Sequence, residues 1–238
     1  MTNRLEGCLR HEVLNLLEKE RDAVGIELGV AAGGFSKRML ESGRFKHFFG
    51  VDMYADSHDT GQYKDALRTV GLFAPYTLLR MTFDEAYDLF EDESVDFIYI
   101  DGYAHSGQEG GDTIWKWARK VRVGGVIAGD DYDPHWPLVT AAVDRFVSDA
   151  GFDLHVTTEI EPDVAYSDFP SWATVKTHAF DADAPAELVR EGKKAAEQVA
   201  RKRGRLRPLE NFVKRALPAS TTQRLREWNR NRKSRRRK

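Results

Sequence analysis

Between residues 24 and 177, short apolar runs alternate with stretches whose apolar residues recur at helical spacing. Apolar runs of four to eight residues bounded by turn formers predict buried strands, and i, i+3, i+4 recurrence predicts helices. The strands fall at Val24–Val30, Phe48–Met53, Tyr76–Met81, Val95–Ile100 and Gly125–Ala128. Helices are predicted at Phe35–Leu40, Gln62–Val70, Phe83–Phe90, Thr113–Val121 (beginning near Gln108) and Leu138–Ala150. Phe152–Thr158 and Trp172–Thr177 read as two closing strands with no helix between them. Leu5, Leu9, Val13, Leu16 and Leu17 predict an amphipathic N-terminal helix over Leu5–Leu17, a candidate lid. Strands alternating with helices imply right-handed crossovers. The expected fold is α/β: a Rossmann-like, doubly wound, mainly parallel seven-stranded sheet with an antiparallel hairpin at one edge.

Charge changes the picture past residue 180. Residues 190–238 hold 19 Lys and Arg against 4 Asp and Glu, whereas residues 1–189 hold 17 against 34. An acidic body therefore carries a basic helical or disordered extension over residues 181–238, ending in KSRRRK. Such a tail is either a solvated appendage or an anchor for a polyanion or an anionic membrane surface. No apolar run reaches the roughly 18–20 residues of a membrane span. The N-terminus lacks the apolar core of a secretory signal. Cys8 is the only cysteine, which excludes an intrachain disulfide and a multi-cysteine metal site. These features predict a cytoplasmic protein, with peripheral attachment at the inner membrane surface as the refinement the tail suggests.

The candidate chemistry clusters where strands end. The first strand runs into Gly29–Gly34, the second ends at Asp52, the fourth at Asp101 and the fifth at Asp130 and Asp131. In open parallel sheets ligands bind beyond these carboxyl ends, where strand order reverses. Gly33 and Gly34 allow close approach to the backbone. Ala31 breaks the G-x-G-x-x-G pattern of a dinucleotide site, and there is no Gly-Lys-Ser/Thr for a P-loop. Asp52, 23 residues beyond Gly29, stands near the roughly 20-residue offset of an acid that accepts from a ribose diol. A nucleoside without a pyrophosphate fits this set.

Glu27-Leu-Gly29-Val-Ala-Ala-Gly33-Gly34, Val-Asp52-Met53, Tyr-Ile-Asp101-Gly and Gly-Gly-Val-Ile-Ala-Gly-Asp130-Asp131-Tyr together resemble a class I S-adenosylmethionine-dependent methyltransferase. The likeness is to the metal-dependent O-methyltransferases, the group of the catechol-type and macrolide-sugar enzymes, and covers residues 22–178. It implies that Glu27, Gly29 and Gly33 face the methionine part of the cofactor, Asp52 holds the ribose hydroxyls and Met53 packs on adenine. Thr82 and Phe83 match the adenine-edge position. Asp101, Asp130 and Asp131 match the divalent-metal ligands. The pattern departs from relatives at Asp131, where many carry Asn, and at Gly102-Tyr-Ala-His105, where the run is usually tighter. The organisation this implies is residues 1–20 as the N-terminal helix, 21–180 as the methyltransferase domain and 181–238 as the extension.

Three converging carboxylates without His or Cys suit a hard cation such as Mg²⁺. Left unpaired they repel, and at least one pKa rises. The alternative is that they pair separately with cations such as Lys116 or Arg119. With a metal, the acceptor hydroxyl loses its proton more readily. His105 is the first candidate base, Asp101 the second and His135 the third. Tyr54, Tyr132 and Trp136 are expected to rim the acceptor pocket. The tail favours a sugar or glycoside hydroxyl, polymer- or lipid-linked. The alternatives are a small phenol or catechol, an RNA held by the tail, and a non-catalytic cofactor-binding assembly module.

Overall fold

A computed structural model describes residues 2–19, 21–55, 58–161, 164 and 167–216, with side chains described up to residue 202. The chain divides into two units, Met1–Ala195 and Ala196–Lys238. The tail residues Leu217, Leu225 and Trp228 and the terminal KSRRRK lie outside the described residues.

The first unit is built on a sheet of eight strands: β1 (Thr2–Leu5), β2 (Ala23–Leu28), β3 (Phe45–Val51), β4 (Tyr76–Leu79), β5 (Val95–Ile100), β6 (Val121–Gly129), β7 (Leu154–Thr157) and β8 (Trp172–Val175). Their order is β1-β7-β8-β6-β5-β2-β3-β4. β2 to β6 run parallel, as the apolar runs predict. The helices α1 (Gly34–Glu41), α2 (Thr60–Thr69), α3 (Phe83–Tyr87), α4 (Asp112–Ala118) and α5 (Pro137–Ala150) fill the crossovers, and α6 (Ala186–Ala216) follows the last strand. The chain winds one way through β2, β3 and β4 and the other through β5 and β6. The strand order therefore switches between β2 and β5, whose carboxyl ends carry Gly29 and Asp101.

The closing pair is antiparallel, but it is not a simple edge hairpin. β8 inserts between β6 and β7, antiparallel to both, and the additional strand β1 pairs parallel with β7. β1 has no apolar run to announce it, because its four residues, TNRL, are exposed or half-buried. The predicted N-terminal helix resolves into β1 and a 3-10 segment, Arg10–Leu16. Gly7, with φ of +72°, lies between them. Val13, Leu14 and Leu17 are buried in one cluster with Phe35, Met39, Phe97 and Tyr99. Val13, Leu14 and Leu17 thus anchor this segment in the core of the body.

The helix expected to begin near Gln108 starts at Asp112 instead. Residues 107 to 111 all take positive φ, including Gln108 at 43° and Glu109 at 50°. Glycine suits this left-handed turn and also the close packing around it. A Cβ on Gly110 would lie 1.9 Å from the Leu188 carbonyl oxygen, and one on Gly107 would lie 2.5 Å from that of Leu138.

Candidate active site

The switch point opens into a cavity of about 480 Å³. Gly29, Asp52, Met53, Thr82, Phe83, Asp101 and His105 line it, together with Tyr103, Gln108 and Trp136. The nucleoside-facing and acceptor-facing residues singled out in the sequence thus largely share one cavity. Asp130 and Asp131 line a smaller recess that shares Gly102, Tyr103, Ala104 and Gln108 with it.

Glu27 and Gly33 do not line the cavity, although the resemblance places them at the methionine end. Glu27 points into the protein, 1% exposed, and accepts a hydrogen bond from the Ser36 hydroxyl, which lies 3.0 Å from the Tyr76 hydroxyl. Burial pushes its carboxyl up to about 8, and the Ser36 bond opposes the rise. Gly33 precedes α1 as its N-terminal cap with φ of +81°, and a Cβ there would face Val70 and Ala66 of the α2 region.

Asp52 organises the glycine segment. Its Oδ2 accepts from the backbone N–H groups of Val30 (3.0 Å) and Ala31 (3.1 Å), and its Oδ1 from that of Tyr54 (3.0 Å). His58 Nδ1 lies 2.6 Å from Oδ2. Burial pushes this carboxyl up, but the His58 contact and the backbone donors outweigh it and hold the group below its ordinary value. His58 also lines the cavity. No local signal marks it, since it sits in a polar stretch without periodicity. Tyr54, expected at the pocket rim, is 2% exposed and donates its hydroxyl to the Ala31 carbonyl at 2.9 Å. Tyr132 donates to Asp144 at 2.6 Å and lines neither cavity. Trp136 does line it, and its ring meets those of His135 and Phe169. His135 stacks on Phe169 and is not a lining residue. Thr82 caps α3, accepting from the Glu85 backbone N–H at 3.2 Å.

The three aspartates converge, each offering an oxygen within 4.8 Å of the others. Asp131, with φ of +64° just past the end of β6, is turned so that it and its neighbour Asp130 serve the same site. Neither Lys116 nor Arg119 is their partner. Lys116 binds Asp112 (2.9 Å) and Asp84 (3.3 Å), and Arg119 binds Asp181 (2.6 Å) and Asp183 (2.8 Å). The cation among them is Arg10, 1% exposed, with Nη2 at 2.9 Å from Asp101 Oδ2 and Nη1 at 3.3 Å from Asp130 Oδ2. Its guanidinium lies 4.9 Å from the Phe35 ring centroid and 5.0 Å from that of Tyr99. The Ser171 hydroxyl donates to Asp130 Oδ1 at 3.2 Å and lies 2.7 Å from the Tyr99 hydroxyl. Burial, with the charge of neighbouring carboxylates, drives both Asp130 and Asp131 well above the ordinary carboxylate range, and Arg10 opposes that rise. As a test of fit for a divalent ion, the donor set is suitable in chemistry and spacing. The oxygens are not vacant, however: both of Asp130 and one of Asp101 are already engaged.

Residues 24–132 match the family model described as a methyltransferase domain. No curated protein matches the chain. Among solved structures, the chain is similar to an S-adenosylmethionine-dependent O-methyltransferase of Thermotoga maritima, with 15% identity over 71% of this chain and 65% of that one and a TM-score of 0.51. It therefore spans slightly less than two thirds of that protein. It is also similar to an O-methyltransferase of Bacillus cereus in complex with S-adenosylhomocysteine, at 16% identity over 70% and 80% of the two chains with a TM-score of 0.51. Spermidine synthase of Thermotoga maritima is comparable in shape, at 16% identity over 76% and 64% with a TM-score of 0.55. At such identities the likeness establishes the fold, and the family match is confined to residues 24–132. That span thus matches a methyltransferase-domain model, on a fold shared with O-methyltransferases of known structure.

Proposed function

We propose that this protein transfers the methyl group of S-adenosylmethionine to a hydroxyl oxygen of a sugar or glycoside. The observation that carries the reading is one cavity shared by the nucleoside-facing set (Gly29, Asp52, Met53, Thr82, Phe83) and an acceptor-facing set (Asp101, His105, Trp136). The acceptor oxygen forms its bond to the methyl carbon as the carbon–sulfur bond breaks. The sulfonium becomes the neutral thioether of S-adenosylhomocysteine, and the hydroxyl proton passes to His105 or Asp101. Holding oxygen, carbon and sulfur in line is the cavity's main contribution. The flat face of Trp136 suits a pyranose ring, which favours a sugar over a small flexible alcohol.

Two cations are candidates for the acid cluster. Magnesium would be held by Asp101, Asp130 and Asp131, and would act as a Lewis acid toward the acceptor hydroxyl. What favours it is that three carboxylates each offer an oxygen within 4.8 Å of the others. The other candidate is Arg10 itself. For the basic extension we propose attachment to an anionic surface, a membrane or a polyanion, at the cytoplasmic face. Among the described residues no helix is long and apolar enough to cross a membrane.

The test is a label-transfer screen with radiolabelled donor against glycosides, phenols, cell-envelope extracts and RNA. Labelled methyl ether on a glycoside is the expected result. Label confined to RNA, or no transfer to any hydroxyl, refutes the reading.

A further inference from the structure

We propose that Arg10 is the resident cation of this site, a positioning residue that takes the place of a divalent ion between Asp101 and Asp130. The inference rests on the hydroxyl-methylation reading and specifies how its acidic cluster works. Arg10 reaches two acids that end different strands, Asp101 after β5 and Asp130 after β6, through two nitrogens of one planar fork. A guanidinium stays charged at any working pH, and here it hydrogen-bonds Asp101 through Nη2 and pairs with Asp130 through Nη1. The side chain is also held by its surroundings, at 1% exposure against the rings of Phe35 and Tyr99. The grip has a consequence at the cavity wall. Asp101 stays 28% exposed and lines the cavity, so the contact with Arg10 sets which edge of its carboxylate faces an acceptor.

A divalent ion on these carboxylates would sit beside a fixed positive charge that already holds an oxygen of each of the two acids. Like charges at such distances in a buried site repel strongly. Arg10 also lies outside residues 24–132, the span that matches the methyltransferase model. The matched span therefore supplies the acids, and the segment before it supplies their cation.

The probe is Mn²⁺, read by electron paramagnetic resonance on the full-length protein, alongside methyl transfer with and without chelator. The wild type is expected to leave the Mn²⁺ spectrum that of the free ion and to keep its transfer rate in chelator. Arg10→Met, which removes the charge while keeping much of the volume, is expected to bind Mn²⁺ at least about tenfold more tightly than wild type, a gain of about 1.4 kcal/mol. Added Mg²⁺ is expected to restore part of the transfer that this variant loses, an effect a merely structural arginine would not show. Stoichiometric Mn²⁺ binding by the wild type, or transfer abolished by chelator, overturns the proposal. So does an Arg10→Met protein with full activity and no cation. If Arg10→Met does not fold, the wild-type Mn²⁺ spectrum still decides. If no hydroxyl acceptor is found, the methylation reading fails while the Mn²⁺ result continues to judge Arg10.

Discussion

Gly29→Ala tests the geometry of the switch point directly. Gly29 has φ of +97°, and a Cβ there would lie 1.9 Å from the Asp101 carbonyl oxygen and 2.9 Å from its carbonyl carbon. Ordinary contact begins at 3.4 Å, so the two strand ends must separate by about 1.5 Å. Both atoms are backbone, and neither can rotate away. Forcing an L residue into this conformation costs about 1–3 kcal/mol. Displacing packed backbone adds about 1–3 kcal/mol more. The expected destabilisation is therefore about 2–6 kcal/mol, read as a lowered urea midpoint. The same shift moves Asp101 relative to the cavity, so binding of S-adenosylhomocysteine by the folded fraction, measured by calorimetry, should weaken as well. Gly43→Ala is the control. It has φ of +67° and nothing within 4 Å of a Cβ, so it should cost only the conformational part, about 1–2 kcal/mol. A Gly29→Ala protein with the midpoint of Gly43→Ala and undiminished cofactor affinity would refute the close approach of β2 and β5.

Glu27 makes stability depend on pH. Its folded value of about 8 stands above the ordinary 4.5, so the folded chain keeps a proton that the unfolded chain releases. Stability is then greatest below about pH 4.5 for this group and falls as pH rises toward 8, by at most about 5 kcal/mol. Glu27→Gln should flatten that slope in denaturation series at stepped pH, and an unchanged slope counts against the buried-acid account. Asp52→Asn places an amide among the N–H donors that its carboxylate now accepts, and should cost about 1–3 kcal/mol in thermal unfolding together with weaker cofactor binding. Trp136→Ala should raise the acceptor KM while leaving S-adenosylhomocysteine affinity near wild type, and a loss of affinity alone would move Trp136 to the cofactor side. Truncation after residue 195 should abolish salt-sensitive binding to vesicles of anionic lipid while methyl transfer to a small glycoside persists. Vesicle binding that survives truncation removes the anchor reading.

The order of strands and helices was legible because burial writes a local period into the chain. β2 to β6 and their crossovers were readable as apolar runs and helical spacing, and that order alone places Gly29, Asp52, Asp101 and Asp130 at carboxyl ends. The convergence of three aspartates followed from the same topology. What local pattern could not carry was pairing across the chain. Arg10 meets Asp101 over 91 residues, and its burial is set by Phe35 and Tyr99, which come from other elements. As a polar residue within an apolar repeat, it reads as the solvent face of a helix until the sheet supplies its partners. The same holds for β1, too short and polar to declare itself, and for Tyr54 and Glu27, whose neighbours turn a rim or a ligand contact into buried structure. The residue sequence by itself determined the sheet and the acids at its end. Tertiary packing alone decided which cation stands among them, because a charge finds its partner through space and leaves no period along the chain.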